Sequence, residues 1–136
     1  MHTVARGTSA SLSFLVEENM QAAFGDRLIH PVLSTAWLVH HLEWAARLVI
    51  EPAREQHEED VGVGVDIRHL GAAPLGETVE VRAVARKQRD RLLVCEVSAR
   101  CRGRDIARGR VFQAVLERGR LRATRAAGSP RLDGEE

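Results

Sequence analysis

The 136-residue chain is long enough for one domain with a hydrophobic core and too short for two. Its charges nearly cancel, with 20 Lys and Arg against 19 Asp and Glu, and it has three Phe, two Trp and no Tyr. This balance gives no case for a nucleic-acid or membrane partner. No apolar run reaches the roughly 18 residues of a membrane span, and no signal peptide is indicated.

We predict one domain over residues 10–121, with a flexible N-terminus at residues 1–9 and a flexible C-terminal tail at residues 122–136. Apolar and polar residues alternate from Ser11 to Val16, which is typical of a half-buried strand. The next stretch, residues 17–31, is polar and irregular. We interpret it as a loop or a short helix.

A long buried helix is predicted to begin near Ser34 or Thr35, because either hydroxyl can accept from a free N–H group of the first turn. Apolar residues then recur at spacings of three and four from Leu38 to Val49, and others widen the apolar surface to most sides. Pro52 should end the helix near Glu51, since the residue before a proline disfavours the helical region.

Four alternating segments after the helix predict strands at residues 61–68, 79–86, 93–101 and 106–116. Polar turns at 88–91 and 102–105 join the last three. Cys95 and Cys101 share a face of one strand but lie roughly 20 Å apart, which is too far for a disulfide. We therefore expect reduced thiols and a cytoplasmic protein.

The element order is a strand, a buried helix and four strands joined mostly by short turns. One buried helix needs a sheet that curls around it, so we predict an α+β protein with an antiparallel β-sheet wrapped around one long central helix. The hot-dog fold is the familiar example. Its protomers usually pair edge to edge, with the active site between them.

Three side chains are candidates for chemistry. Glu43 is a carboxylate within an apolar helix, which is costly unless it is paired or protonated, so it is either catalytic or bound to an arginine. Thr35 is either a helix cap or a site residue, offset from Glu43 by about 80° and about 12 Å on a straight helix. His69 ends a strand, where it can project into a cleft or face solvent.

His40 and His41 raise the question of a metal. His40 and Glu43 share a helix face, and His69 would have to supply the third ligand. This set matches no strong metal motif, so we predict no metal site. One of the two adjacent histidines is expected to pack against the sheet or a partner, and the other to face solvent.

Two segments resemble the fluoroacetyl-CoA thioesterase family. Residues 32–45 (VLSTAWLVHHLEWA) resemble the central helix of that family, and residues 62–79 (GVGVDIRHLGAAPLGETV) resemble a second segment of its sequences. The resemblance covers about residues 10–121. It implies a hot-dog homodimer, or a dimer of dimers, that hydrolyses acyl-CoA without a metal or any cofactor beyond the CoA of the substrate. It also implies catalytic roles for Thr35, Glu43 and His69, and a pocket glycine at Gly62.

Two departures from the family pattern bear on the substrate. A family arginine of the last strand falls on Gln113, which we assign to substrate binding together with Ser34 and Gly62. The loop before the helix carries aromatic lid residues in the fluoroacetyl-specific enzyme but is shorter here, with Phe24 its only aromatic. We therefore expect a relative that acts on another short or medium acyl-CoA.

In the expected mechanism, Glu43 attacks the carbonyl or activates water, Thr35 orients Glu43 or the water, and His69 assists proton transfer. One alternative is a hot-dog hydratase or dehydratase, but Asp66 and His69 are three apart in a strand and so face opposite ways. Another is a non-catalytic acyl-CoA-binding protein with a structural Glu43. A third is a metal-dependent activity through His40, Glu43 and His69.

Overall fold

A computed structural model describes residues 1–121. The predicted tail, residues 122–136, lies outside the described residues. The strands and helix are, in chain order, β1 (Ser9–Leu15), β2 (Gln21–Phe24), β3 (Arg27–Leu33), α1 (Thr35–Ile50), β4 (Glu58–His69), β5 (Thr78–Arg89), β6 (Leu92–Cys101) and β7 (Arg104–Glu117), with short 3-10 turns at Glu18–Met20 and Glu51–Ala53.

The main sheet has five antiparallel strands in the order β1-β5-β6-β7-β4. Alternate residues of these strands are buried, and the buried side chains form one core with the apolar surface of α1. Cys95 and Cys101 are both free and buried in that core. The predicted architecture, an antiparallel sheet around one long central helix, is confirmed.

Helix α1 begins and ends close to the predicted positions. Ser34 is its N-cap, and the Ser34 side chain accepts a hydrogen bond from the Trp37 N–H group at 3.1 Å. The helix ends at Ile50, and Glu51 and Pro52 continue into the 3-10 turn. Its buried side chains are Leu38, His41, Leu42, Ala45, Ala46, Val49 and Ile50.

The segment interpreted as a loop or short helix is instead mostly a β-hairpin. After the 3-10 turn, β2 and β3 pair with each other as a separate two-stranded sheet. They are joined at Gly25 and Asp26, where Gly25 has a φ of +61°. Residues 23–30 are all exposed, so this hairpin lacks the buried face that would have produced an alternating pattern.

The first residues make contacts that the prediction of a flexible N-terminus did not include. The N–H groups of His2 and Gly7 donate to the carbonyls of Ala53 and Ala85, and the Met1 amino group lies 2.7 Å from Glu58 Oε1. Strand β1 also begins at Ser9, two residues before the predicted start.

Strand β4 lies at an edge of the main sheet, and within residues 1–121 it pairs only with β7. A bulge between Gly62 and Gly64 interrupts this pairing. Among the described residues, no helix has the length and hydropathy needed to cross a membrane.

Candidate active site

Thr35 and His69 meet at the beginning of α1 and the end of β4. Thr35 Oγ1 and His69 Nδ1 are 2.9 Å apart, which is hydrogen-bonding distance. Because Ser34 caps the helix, the Thr35 hydroxyl is available for this contact. The other ring nitrogen, His69 Nε2, is buried and has no hydrogen-bond partner within residues 1–121. An unpaired buried nitrogen of this kind suits a group brought in by a ligand, a water or another chain.

Glu43 lies against the backbone of β4 at Gly62. A Cβ atom built on Gly62 would overlap Glu43 Oε1, so only a glycine leaves room for the carboxylate in this position. The Glu43 side chain is half-buried, and no arginine within residues 1–121 forms an ion pair with it. The alternative of a structural salt bridge to an arginine therefore has no support in the described part of the chain.

A cavity of about 690 Å³ opens beside Glu43. One wall is a single face of α1, where the lining residues follow His40 at spacings of three, four and seven. The other wall is formed by β4 and β7. Its lining residues are His40, Glu43, Trp44, Arg47, Asp60, Val61, Gly62 and Gln113. Thr35 and His69 are not part of this lining, so one chain does not bring the three predicted catalytic residues into a single cavity.

The predicted substrate-binding residues have different surroundings. Gly62 lines the cavity, as does Gln113, which stands opposite Gly62 in the β4–β7 pairing and is only 2% exposed. Ser34 instead uses its side-chain oxygen as the cap of α1.

The two adjacent histidines separate as predicted. His41 is buried and stacks on Phe14 of β1 with ring centroids 3.5 Å apart, while its Nδ1 lies 2.9 Å from the Trp37 carbonyl oxygen. Burial lowers the pKa of His41, partly offset by that backbone contact. His40 is exposed at the cavity.

The proposed ligand set of His40, Glu43 and His69 is not assembled within the chain. Among the described residues, the one group of His, Cys, Asp or Glu side chains with mutually close ligand atoms is His57, Glu58 and Glu117, none of which lines the cavity. Asp66 is exposed, and its carboxylate lies 3.8 Å from the Arg110 guanidinium. Asp66 is three residues from His69 in β4, so the two side chains are on opposite faces of the strand. The structure thus does not pair Asp66 with His69.

Two charged residues of the cavity were missed in the sequence. The buried Asp60 carboxylate binds Arg54 at 3.3 Å and the half-exposed Arg47 at 3.6 Å, which ties the end of α1 to β4. Arg47 lies one helical turn beyond Glu43, and this spacing was a usable signal. Asp60 is the third residue of β4 and precedes the predicted strand, and no sequence pattern singles it out.

Comparisons with known proteins show the family to which this chain is related. A family model described as fluoroacetyl-CoA-specific thioesterase matches residues 16–119. A thioesterase superfamily member from Thermus thermophilus has a structure similar to this chain, with a TM-score of 0.89 and 32% identity over 93% of this chain and 94% of that chain. A search of curated protein sequences found no significant match.

Two further structures extend the likeness. A variant of the fluoroacetyl-CoA-specific thioesterase FlK, in complex with fluoroacetate and CoA, gives a TM-score of 0.76 and 26% identity over 86% of this chain and 98% of that chain. A hot-dog-like protein from Thermanaerovibrio acidaminovorans gives a TM-score of 0.82 and 18% identity over 93% and 94%. At that identity the second likeness concerns the fold alone.

Proposed function

This chain belongs to the fluoroacetyl-CoA-specific thioesterase family and is a hot-dog-fold acyl-CoA thioesterase, and on that premise we propose that it hydrolyses a short or medium acyl-CoA to the free acid and CoA. We assign the reaction to Glu43, His69 and Thr35, without a metal or a resident cofactor. The substrate class and these roles are the proposal.

The observation that carries this proposal is the position of Glu43. Its carboxylate lies at the wall of a cavity, against a glycine that leaves space for it, and no arginine of the described residues lies within ion-pair distance of it. A half-buried carboxylate that is not used in an ion pair is available as a base or nucleophile. A purely structural carboxylate would be expected to have a cationic partner.

The Thr35–His69 pair supports a shared site between two chains. Within one α1 helix, Thr35 lies about 12 Å from Glu43 along the axis, so the pair cannot act on the same atom as that Glu43. His69 ends β4, the strand whose outer edge has no partner within residues 1–121. We propose a homodimer, alone or as a dimer of dimers, in which β4 edges pair and the Thr35–His69 pair of one chain approaches Glu43 of the other.

The chemistry follows from these groups. Hydrolysis forms a bond between a water oxygen and the acyl carbon and breaks the bond from that carbon to sulfur. Glu43 either takes the proton of the attacking water, or attacks the acyl carbon itself and displaces the CoA thiolate to give an anhydride, which water then hydrolyses to the free acid and Glu43. His69, oriented by Thr35, moves a proton towards the departing sulfur. N–H groups in the first turn of α1 stabilise the oxyanion that forms on the carbonyl.

The surroundings favour an acyl group other than fluoroacetyl. The cavity has an apolar wall that includes Trp44 and Val61, which suits the methylene groups of a longer acyl chain. The hairpin before α1 contains one aromatic residue, Phe24, and its side chain is 80% exposed. Fluoroacetate and CoA are ligands of the similar FlK enzyme, whereas we propose a larger non-fluorinated acyl group for this chain.

A thiol-release assay over a panel of acyl-CoAs tests this function. We expect saturable CoA release from one or more straight-chain or branched acyl groups of about four to eight carbons, with kcat in the range of ordinary enzymes, at or above roughly 1 per second. The kcat/KM for fluoroacetyl-CoA should be lower than the kcat/KM for the best of these longer acyl-CoAs. Binding of acyl-CoA without release of thiol from any member of the panel would support the non-catalytic alternative instead.

A further inference from the structure

Gln113 is buried at the junction between the sheet and the catalytic face of α1. Its side chain is 2% exposed, and in the sheet it lies between Gly62 on β4 and Leu93 on β6. Gln113 and Gly62 line the same cavity as Glu43. The Gln113 amide on the sheet and the Glu43 carboxylate on α1 therefore border the same cavity.

The Gln113 amide contacts the peptide group between Ala46 and Arg47 in helix α1. With the amide oriented to satisfy both of its ends, the Gln113 nitrogen donates to the Ala46 carbonyl at 3.0 Å and the Gln113 oxygen accepts from the Arg47 N–H group at 3.3 Å. In a regular α-helix the N–H group of Arg47 donates to the carbonyl of Glu43, four residues earlier. Gln113 thus binds the helix backbone at the turn that begins with Glu43.

We propose that Gln113 is a positioning residue for Glu43 rather than a substrate contact. By holding the peptide group between Ala46 and Arg47 on β7, it sets the height above the sheet of the turn of α1 that begins with Glu43. That height determines how closely the Glu43 carboxylate approaches Gly62. The inference rests on the proposed function, because it gives Gln113 its role through a catalytic Glu43.

The chemistry of a peptide group explains why an amide occupies this position. A neutral side-chain amide can donate an N–H group to the second lone pair of the Ala46 carbonyl, and its oxygen can accept from the Arg47 N–H group. An ionised carboxylate can accept from Arg47 but cannot donate to Ala46. A thioether of similar length supplies neither hydrogen bond. The length of the glutamine side chain also lets the amide reach the helix from the sheet.

Kinetics of Gln113→Met and Gln113→Glu, measured on the best acyl-CoA of the wild-type protein, test the proposal. Both variants should lower kcat by between about 10- and 100-fold, the cost expected for a catalytic group displaced by about 1 Å. KM should stay within about twofold, because substrate contacts are unchanged. Val111→Ala is the matched control, since Val111 is buried on the same face of β7 but does not line the cavity. It should keep the wild-type kcat.

A rise in KM with kcat unchanged would overturn the proposal and return Gln113 to substrate binding. A kcat per folded molecule equal to that of the wild-type protein would also overturn it, by showing a role in stability alone. Amide hydrogen exchange gives a readout independent of turnover. In folded Gln113→Met, the Arg47 amide should exchange at least about tenfold faster, while the Leu42 amide keeps its protection.

These measurements separate the inference from the function on which it rests. A wild-type protein that releases no thiol from any acyl-CoA would count against the proposed function, and the exchange of the Arg47 amide would still decide whether Gln113 holds the helix. An active wild-type protein with unchanged Arg47 exchange in Gln113→Met would count against the positioning role alone.

Discussion

At the scale of single residues, the site depends on a close approach between a side chain and a backbone. Glu43 was a candidate from the sequence because burying a carboxylate in an apolar helix costs free energy unless the group is paired or protonated. Gly62 was assigned only through the resemblance to the family, and the structure supplies a physical reason for glycine there. The contacts of Gln113 were beyond prediction, since its partners are helix backbone atoms whose position depends on how α1 packs on the sheet.

Replacing Gly62 with alanine is the most selective test of this close approach. The added Cβ atom would overlap Glu43 Oε1, so the carboxylate must move, and we expect kcat to fall at least about tenfold. Gly64→Ala is the control, because a Cβ there meets Phe112 at an ordinary 3.5 Å. The account is wrong about Gly62 if both variants turn over acyl-CoA at the same rate.

The hydrogen bond between Thr35 and His69 predicts non-additive kinetics. His69→Ala should lower kcat by roughly 10²- to 10⁴-fold, and Thr35→Val should cost part of that loss because His69 is no longer oriented. In the double variant, the Thr35 substitution should add almost nothing. Multiplicative effects of the two substitutions on kcat would mean that the residues act independently.

At the scale of elements, the alternating strands and the apolar helix were predictable because each buries one face or one surface in the core. The hairpin β2–β3 was not predicted, because it buries neither face in the core. Residues 23–30 are exposed on both faces, so hydrophobic periodicity carries no information there. The dipeptide Gly25-Asp26 was the available signal, since a glycine followed by aspartate is typical of two-residue hairpin turns.

The edge of β4 that has no strand partner among residues 1–121 leads to a prediction about assembly. Exposed strand edges tend to pair, and here pairing would also complete the proposed site. Sedimentation should therefore give at least twice the chain mass of 15.1 kDa, and dilution into monomers should abolish thiol release. A monomer with full activity would contradict the proposal of a shared site.

At the scale of the whole molecule, an ion-paired carboxylate that is not part of the cavity lining contributes to stability. Glu58 is 1% exposed and binds Arg91, the Met1 amino group and the N–H group of Glu55. Although burial alone would raise its pKa, these partners outweigh that effect and lower the pKa of Glu58 from 4.5 to about 2. Arg91 also donates from Nε to the Val115 carbonyl, so it links this carboxylate to β7.

The lowered pKa gives stability that depends on pH. A carboxyl group with a folded pKa below its unfolded value stabilises the protein fully above about pH 4.5, and this contribution is lost as the pH falls towards about 2. Between pH 7 and 2.5, Glu58 should account for about 2–3 kcal/mol of lost unfolding free energy. Urea titrations of Glu58→Gln should show a pH dependence smaller by that amount. Parallel curves for the two proteins would refute the assignment.

The fold and the family together establish an acyl-CoA thioesterase, while the substrate depends on the shape of a cavity that one chain leaves open. Pocket shape was not predictable from the sequence, because its walls come from α1, β4 and β7 and their spacing is set by packing. Asp60 at one end of the cavity is the clearest example, since it belongs to no sequence motif.

The most direct test of the account is the kcat of Glu43→Gln for the acyl-CoA that the wild-type protein hydrolyses best. Glutamine keeps the shape of the side chain but removes its basicity and negative charge, so we expect kcat to fall by at least about 10²-fold. The exposed Glu55 provides the control, and Glu55→Gln should retain the wild-type rate. Hydrolysis by folded Glu43→Gln at the wild-type rate would contradict the catalytic role of Glu43.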